Sequence, residues 1–249
     1  MPAPGSSPQF TPEELTNIAT FATDAARVKY DVYGLSTLEE GLVRRYFTDV
    51  RAQLLDIGCG YGRTTVPLHQ MGYRVVGIDI VERMIVEADK SHPEVPWALM
   101  SATDLAMRDE SVAYAFFPFN GIDCIYPLDR RDQALREVYR VLRPGGCFIY
   151  SAHNWLAQVV TSLRDRGRRS QVLHNIRHAK VVPGYLRIPL AEGELVLYYG
   201  TPGAEIRRLR RLGFRNITLH RGKMSPRFEG WGRLGSFLFD ARPHFVAYR

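Results

Sequence analysis

The residues best suited to chemistry in this chain lie in a glycine-rich stretch that follows an apolar run. Residues 54–57 are apolar apart from Asp56, and Gly58, Gly60 and Gly62 follow at every second position. This pattern predicts a strand, a tight turn and the start of a helix. Glycine lets the backbone pass close to a small molecule, and the N–H groups that open the helix can face its polar atoms. The stretch predicts a ligand-binding turn, with an ordinary strand-to-helix connection as the alternative.

A second carboxylate ends the next predicted strand. Residues 74–78, which are uncharged apart from Arg74, are a predicted strand that leads into Asp79, after a predicted helix that ends near Gln70. If the sheet is parallel, Asp56 and Asp79 lie at the same edge, where ligands bind in open α/β folds. A helix N-cap is the alternative role for Asp79 because a helix is predicted to follow it. Two carboxylates at adjacent strand ends favour the ligand-binding interpretation.

The elements that must position these residues alternate between strand and helix patterns. Such alternation predicts a doubly wound parallel sheet, an α/β fold. The alternation fails over 152–200, which we interpret as a basic helix or loop followed by a β-hairpin that covers the ligand edge as a lid. The other predicted helices span 12–28, 38–47, 81–90, 130–142 and 202–212, and the other strands 97–100, 112–119, 147–151, 216–220 and 244–248, with a turn at 143–146 before the strand at 147.

Length and composition indicate one domain of 249 residues with a real core, since 45% of the residues are apolar. We expect a disordered tail over 1–10 and a single domain over 11–249, with a helical cap at 11–50. Three cysteines without metal-type spacing predict a reduced, cytoplasmic protein without a bound metal. We find no transmembrane run and no signal peptide in the sequence.

Charge is distributed unevenly along the chain. Residues 1–150 carry 15 Lys and Arg against 20 Asp and Glu, whereas residues 151–249 carry 18 against 6. The C-terminal part is therefore where an anionic partner would bind. A solvated basic face is the alternative.

Four motifs, in this order, resemble those of the class I S-adenosylmethionine-dependent methyltransferases. Residues 54–62 resemble the cofactor motif, 75–79 the acid-ended second strand, 142–146 the turn before the fifth strand, and 212–214 the approach to the last hairpin. The resemblance covers the chain from about residue 50 onward. It implies a Rossmann-like fold with a mostly parallel seven-stranded sheet and S-adenosyl-L-methionine as the cofactor.

The resemblance also implies roles for individual residues. Gly58 and Gly60 would approach the methionyl part of the cofactor, and Asp56 would hold the turn and meet its ammonium group directly or through water. Asp79 would accept hydrogen bonds from both ribose hydroxyls. The remaining implied contacts include the residues that flank the adenine, and they comprise Cys59, Ile80, Met84, Ser101, Ala102, Asp104 and Phe119.

Two positions depart from the usual family pattern. The third strand commonly ends in Gly-Asp-Ala, whose Asp reads the adenine amino group, but this chain has Met100-Ser101-Ala102. Either Ser101 or Asp104 would take over that contact. The Phe-Asp that often starts the fourth strand is Val112-Ala113 here.

Candidate acceptor-binding and catalytic residues follow the fourth and fifth strands. His153 is a candidate general base because an imidazole ionises near working pH, and a histidine hydrogen-bonded to a loop is the alternative. The candidate substrate residues are Tyr30, Tyr33, Asn120, Asp123, Tyr126 and Asn154.

The expected reaction is methylation of a small molecule at O, N or C, in specialised metabolism. Arginines of the insertion favour a phosphate or carboxylate on the acceptor; they are Arg164, Arg166, Arg168 and Arg169. An RNA methyltransferase is the first alternative, although no RNA-binding module and no Asn-Pro-Pro-Tyr-type motif is found. A methyltransferase-like partner subunit without turnover is the second. The oligomeric state stays open.

Overall fold

The computed structural model describes residues 10–30, 34–164, 184–221 and 240–249, without the side chains of residues 29, 30 and 160–164. Residues 1–9 of the predicted disordered tail, Tyr33 and most of the arginine-rich stretch lie outside the described residues. Within the described part of the chain, no helix is long and apolar enough to cross a membrane.

The centre of the fold is a seven-stranded sheet in the order β3-β2-β1-β4-β5-β9-β8. The first five strands pair in parallel, and β9 runs antiparallel to both β5 and β8. This confirms the predicted doubly wound, mostly parallel sheet. The strands are β1 Gln53–Ile57, β2 Arg74–Asp79, β3 Trp97–Leu99, β4 Val112–Phe117, β5 Leu142–Ser151, β6 Tyr185–Pro189, β7 Glu194–Tyr198, β8 Arg215–His220 and β9 His244–Tyr248.

Eight α-helices of the described chain flank or cap this sheet: α1 Pro12–Phe21, α2 Asp24–Tyr30, α3 Thr37–Tyr46, α4 Thr65–Gln70, α5 Glu82–Ser91, α6 Leu128–Val141, α7 Trp155–Arg164 and α8 Pro202–Arg211. The prediction of one helix over 12–28 was wrong, because α1 and α2 are separate. The hydroxyl of Thr23 accepts a hydrogen bond from the N–H of Ala26, as an N-cap does, and so begins a second helix.

The predicted turn at 143–146 belongs to β5. Val112 pairs with Leu142, and Tyr114 pairs with Cys147, so β5 bulges away from β4 between these pairs. A Cβ on Gly146 would lie 2.8 Å from the carbonyl oxygen of Arg143, so the bulge is too tight for a side chain there.

Apolar side chains alternate between the two faces of the sheet, as the strand period of two requires. Leu55 and Phe117 pack on the face covered by α6, and Leu54 and Phe116 pack on the face covered by α3. Both faces are therefore covered, which leaves the carboxyl edge of the parallel strands open to a ligand.

The predicted hairpin consists of β6 and β7, which pair in antiparallel register. It packs against α1, where the hydroxyl of Thr20 donates to the carbonyl oxygen of Glu194 at 2.7 Å. A capping box of Thr11 and Glu14 begins α1. Arg130, which is distant from Glu14 in sequence, forms an ion pair with it. Together α1 and the hairpin form a roof above the carboxyl edge of the sheet.

Candidate active site

A cavity of about 350 Å³ lies between this roof and the sheet. Residues that follow β1, β2, β4 and β5 form its floor, because parallel strands end at the same edge. One face of α1 and the inner side of the hairpin form its opposite wall. The cavity therefore brings together segments that are more than 180 residues apart in sequence.

The glycine turn forms one wall of the cavity. Gly58, Gly60 and Gly62 all have positive φ, at 66°, 56° and 92°. A Cβ on Gly58 would lie 2.9 Å from the ring of Phe117, and one on Gly62 would lie 2.7 Å from Trp97. At Gly60 the nearest atom would be the Met84 sulfur at 3.7 Å, so Gly60 is the glycine with open space beside it.

Asp79 lies in the cavity next to this turn. One carboxylate oxygen accepts from the Gly60 N–H and the other from the Val81 N–H, both at 2.9 Å. Val81 is the N-cap of α5, so Asp79 binds the residue that precedes the helix and is not itself the cap. Burial raises the pKa of Asp79, and the backbone N–H donors partly offset that effect. Each oxygen keeps a lone pair for a further donor.

Asp56 is fully buried behind the turn and does not line the cavity. One oxygen accepts from the hydroxyls of Thr64 and Thr65 at 2.7 and 2.6 Å. The other oxygen has no hydrogen-bond partner among the described residues. Burial raises the pKa of Asp56 to about 6, against the lowering effect of the two hydroxyls. The expected direct contact with a ligand ammonium group is therefore not available from this position.

The predicted adenine-side residues separate into two groups. Ile80, Met84, Ser101 and Ala102 line the cavity, as does Cys59. Asp104 is exposed and outside the cavity, so of the two candidates for reading the adenine amino group only Ser101 is inside. The Ser101 hydroxyl lies 2.8 Å from that of Thr103.

The chain leaves β4 through two consecutive left-handed residues, Phe119 at φ 56° and Asn120 at φ 59°. Such a conformation is costly for residues with side chains, and it occurs most often at functional sites. The turn presents the Phe119 ring to the cavity, with the guanidinium groups of Arg63 and Arg242 at 5.0 and 5.7 Å from its centroid.

Arg63 joins the cavity wall to the N-terminal cap. Its guanidinium binds Glu39 through two hydrogen bonds of 2.7 and 3.0 Å and also donates to the carbonyl oxygen of Gly34. Burial raises the pKa of Glu39, but the hydrogen bond and charge of Arg63 outweigh it and lower the pKa overall. The positive charge of Arg63 is thus neutralised within the fold.

His153 lines the cavity opposite the glycine turn. Its Nδ1 lies 3.0 Å from the carboxylate of Asp123, and its ring packs 4.7 Å from that of Tyr199. Its Nε2 lies 3.4 Å from the side-chain nitrogen of Asn120. A base candidate, a buried carboxylate and a buried amide therefore converge after β4 and β5.

Three predicted substrate residues lie outside the cavity lining. Asp123 is buried beneath His153, and the Tyr126 ring packs against Tyr185 at 4.9 Å. The Asn154 side chain accepts from the Leu156 N–H and donates to the carbonyl oxygen of Asp240, which fixes the start of α7. Asn120 does line the cavity, and the side chains of Tyr30 and Tyr33 lie outside the described residues.

The roof residues were missed by sequence reasoning. On α1 they recur with the spacing i, i+3, i+4 and i+7, the period of one helix face, which was an available signal. The hairpin residues carry no such signal, because their place over the cavity depends on how the hairpin packs. The roof residues are Glu14, Asn17, Ile18, Phe21, Ile188, Leu190, Leu195, Leu197 and Tyr199.

Comparison with known proteins finds a methyltransferase domain in part of the chain. Residues 54–146 match a family model described as a methyltransferase domain. The chain is 30% identical over 142 residues to the ubiquinone/menaquinone biosynthesis C-methyltransferase UbiE of Rubrivivax gelatinosus, covering 53% of this chain and 55% of that protein. The chain spans about half or less of the length of such curated relatives.

Solved structures share the whole fold at low sequence identity. A SAM-dependent methyltransferase from Methanosarcina mazei has a TM-score of 0.66 at 19% identity, with 86% of this chain and 98% of that chain covered. The 1,6-didemethyltoxoflavin-N1-methyltransferase of Burkholderia thailandensis, solved with S-adenosylhomocysteine, has a TM-score of 0.60 at 17% identity, with 99% and 94% covered. The matched segment contains the glycine turn, Asp79 and the start of β5, so the predicted resemblance to the class I S-adenosylmethionine-dependent methyltransferases is confirmed over this segment.

Proposed function

We propose that this protein transfers a methyl group from S-adenosylmethionine to a small-molecule acceptor. The observation that carries the proposal is one continuous cavity lined by the glycine turn and Asp79 on one side and by His153 on the other. When bound, the cofactor supplies a methyl group on a sulfonium centre, and the protein must hold an acceptor in line with it and exclude water.

The described residues fit the cofactor that the family uses. The open side of Gly60 allows a close approach of the methionyl part, and the remaining lone pairs of Asp79 suit two ribose hydroxyls. Ile80 and Met84 would flank the adenine, and the Ser101 hydroxyl would meet its amino group. Asp56 would act indirectly, by holding the helix start behind the turn through Thr64 and Thr65.

The acceptor side of the cavity is mainly apolar. Ile188, Leu190, Leu195 and Leu197 of the roof line it, and Arg63 is neutralised by Glu39. We therefore propose a small, largely apolar acceptor with one ionisable group at the reacting atom. An anionic substituent, as the sequence suggested, would be held by Arg242, which lies over Phe119.

The names of the similar proteins support a small-molecule acceptor, since one is a quinone-biosynthesis C-methyltransferase and another methylates 1,6-didemethyltoxoflavin. In this proposal the roof of α1 and the hairpin, which lies within the insertion at 152–200, covers the acceptor of a single domain. The three cysteines of the chain are free, which favours a reducing compartment such as the cytoplasm.

Isothermal titration with S-adenosylhomocysteine tests the cofactor half of the proposal. We expect Asp79→Asn to weaken binding by about tenfold or more, about 1.4 kcal/mol, because two acceptor oxygens are reduced to one. Asp104→Asn is the matched control, since the same substitution there changes an exposed side chain outside the cavity. Equal affinities for the two variants would contradict the assignment of Asp79. Absence of binding to the wild-type protein would support the partner-subunit alternative.

A further inference from the structure

The side chain of His153 is held by a carboxylate that does not reach the cavity. Asp123 is fully buried, and one of its oxygens accepts from the His153 backbone N–H at 2.6 Å and faces Nδ1 at 3.0 Å. Because an ionised carboxylate only accepts hydrogen bonds, Nδ1 must carry the hydrogen of the neutral ring. Nε2 is then left with a lone pair on the cavity side.

Arg131 holds Asp123 from the opposite side. Its guanidinium is fully buried and lies 3.0 Å from the second oxygen of Asp123. The same guanidinium binds both oxygens of Glu205 at 2.9 and 3.2 Å, and Tyr150 donates to Glu205 at 3.0 Å. Asp123 is therefore fixed between two sets of donors and cannot rotate without losing one of them.

The charges of this cluster do not cancel when His153 is neutral. Arg131 faces two carboxylates, those of Asp123 and Glu205. The neighbouring Arg208 forms its ion pair with Asp132 and lies farther, at 3.7 Å, from Glu205. One net negative charge is left within the buried cluster, and a positive imidazolium beside Asp123 would neutralise it.

Asn120 extends the arrangement into the cavity. Its side-chain nitrogen lies 3.4 Å from Nε2 of His153, and with the ring hydrogen on Nδ1 the amide N–H can donate to Nε2. Its side-chain oxygen is buried without a partner among the described residues. Nε2 is therefore a hydrogen-bond acceptor in this arrangement, and the hydrogen of an acceptor hydroxyl would replace the Asn120 amide N–H as its donor.

We infer that Asp123, clamped by Arg131, is a positioning residue that holds His153 as the Nδ1–H tautomer, so that Nε2 removes the proton of an acceptor hydroxyl of the phenol or enol class. The inference rests on the proposed function. The acceptor oxygen gives its proton to Nε2 and bonds to the methyl carbon, while the methyl–sulfur bond breaks and its electron pair stays on sulfur. The positive charge thereby moves from sulfur to the imidazolium of His153. There it lies next to the buried cluster of Asp123, Arg131 and Glu205, which carries a net negative charge. A neutral amine has its lone pair available and needs no such base.

Asp123→Asn should reverse the tautomer for a specific reason. An amide offers one oxygen and one NH₂ group in place of two acceptor oxygens. The guanidinium of Arg131 is a charged donor and takes the oxygen, so the NH₂ group faces Nδ1 of His153, and the hydrogen bond from the His153 backbone N–H is lost. Nδ1 can then be satisfied only as an acceptor, which places the ring hydrogen on Nε2 and removes the base from the cavity.

Long-range ¹H–¹⁵N NMR of histidine-labelled protein reads the tautomer directly, with His153→Gln used to assign the signals. At about pH 8.5, where an ordinary imidazole is neutral, we expect the Nδ1–H pattern for wild type and the Nε2–H pattern for Asp123→Asn. Asp132→Asn is the matched control, because it removes a carboxylate from the same cluster without touching His153. It should keep the wild-type pattern.

An Nε2–H pattern in the wild-type protein, or an unchanged pattern in Asp123→Asn, would overturn the inference. The wild-type spectrum decides the first point even if the variant does not fold. The measurement needs neither cofactor nor acceptor, so its failure is distinguishable from a failure to bind S-adenosylhomocysteine, which would instead contradict the proposed function.

Discussion

The side-chain amide of Asn17 pairs with both backbone groups of Val196. Its oxygen accepts from the Val196 N–H at 2.7 Å, and its nitrogen donates to the Val196 carbonyl oxygen at 2.9 Å. The same nitrogen also donates to the carbonyl oxygen of Cys124 at 2.9 Å. Asn17 thus takes the place of a neighbouring strand beside β7, and it ties the roof to the segment that leaves β4.

Asn17→Ala should loosen this roof. Loss of three buried hydrogen bonds, with backbone groups left unpaired, is expected to lower the free energy of unfolding by about 3 kcal/mol. Leu15→Ala, on the exposed side of the same helix, should change it by less than about 1 kcal/mol. Urea unfolding measures both, and amide exchange at Val196 should accelerate only in the Asn17 variant. Equal effects of the two substitutions would contradict the assigned role of Asn17.

Gly60 and Gly62 should respond differently to alanine. Gly62→Ala drives a methyl group against Trp97 and should lower the free energy of unfolding by about 2 kcal/mol or more. Gly60→Ala meets no close atom, so its cost is the positive φ alone, about 1 kcal/mol. Because its methyl group borders the cavity, Gly60→Ala should weaken S-adenosylhomocysteine binding about tenfold. Unchanged binding in the folded Gly60 variant would show that the cofactor does not pass this glycine.

Asp56 should make stability depend on pH. Burial raises its pKa to about 6, so between its unfolded value and about pH 6 the folded state binds more protons than the unfolded state. The free energy of unfolding therefore falls as pH rises through this window, by about 2 kcal/mol between about pH 4.5 and 7.5. Asp56→Asn should lack this part of the decline, whereas Asp104→Asn should keep it. Urea unfolding at a series of pH values measures this dependence. The same change of unfolding free energy with pH in wild type and Asp56→Asn would refute the prediction.

Glu39 should stabilise the junction between the cap and the glycine turn. Glu39→Gln breaks a buried two-point pair with Arg63 and should cost about 3 kcal/mol near pH 7. Glu40→Gln, which loses only an exposed pair with Arg44, should cost less than about 1 kcal/mol.

The same pair has a pH signature. Because the folded pKa of Glu39 is lowered, its stabilisation is present above the unfolded pKa and is lost as pH falls through the folded value. Thermal unfolding should therefore show the deficit of Glu39→Gln shrinking on acidification. A deficit that is constant with pH would mean that packing, and not the charge of Glu39, provides the stability.

The pattern of neighbouring residues was sufficient to predict the parallel sheet and the glycine turn. A strand buried on both faces reads as an apolar run, and a tight turn requires glycine, so both are visible in neighbouring residues at 54–62 and 74–79. Asp79 was predictable for the same reason, because parallel strands must end at one edge. The break between α1 and α2 was missed because Thr23 acts through its side-chain hydroxyl, which a hydrophobic period does not register.

Tertiary structure alone decided what each polar residue near that edge can reach. Asp56 and Asp79 both end a strand, yet one is sealed behind the turn by Thr64 and Thr65 while the other borders the cavity. Asp123 was expected to contact the substrate, but the fold places it beneath His153. Arg131 of α6 binds its second oxygen there. The sequence by itself determined the sheet and the glycine turn, since these depend on local backbone preferences. The acceptor side was decided only by packing, since its walls come from α1, the hairpin and the strand ends, and only folding brings such distant segments together.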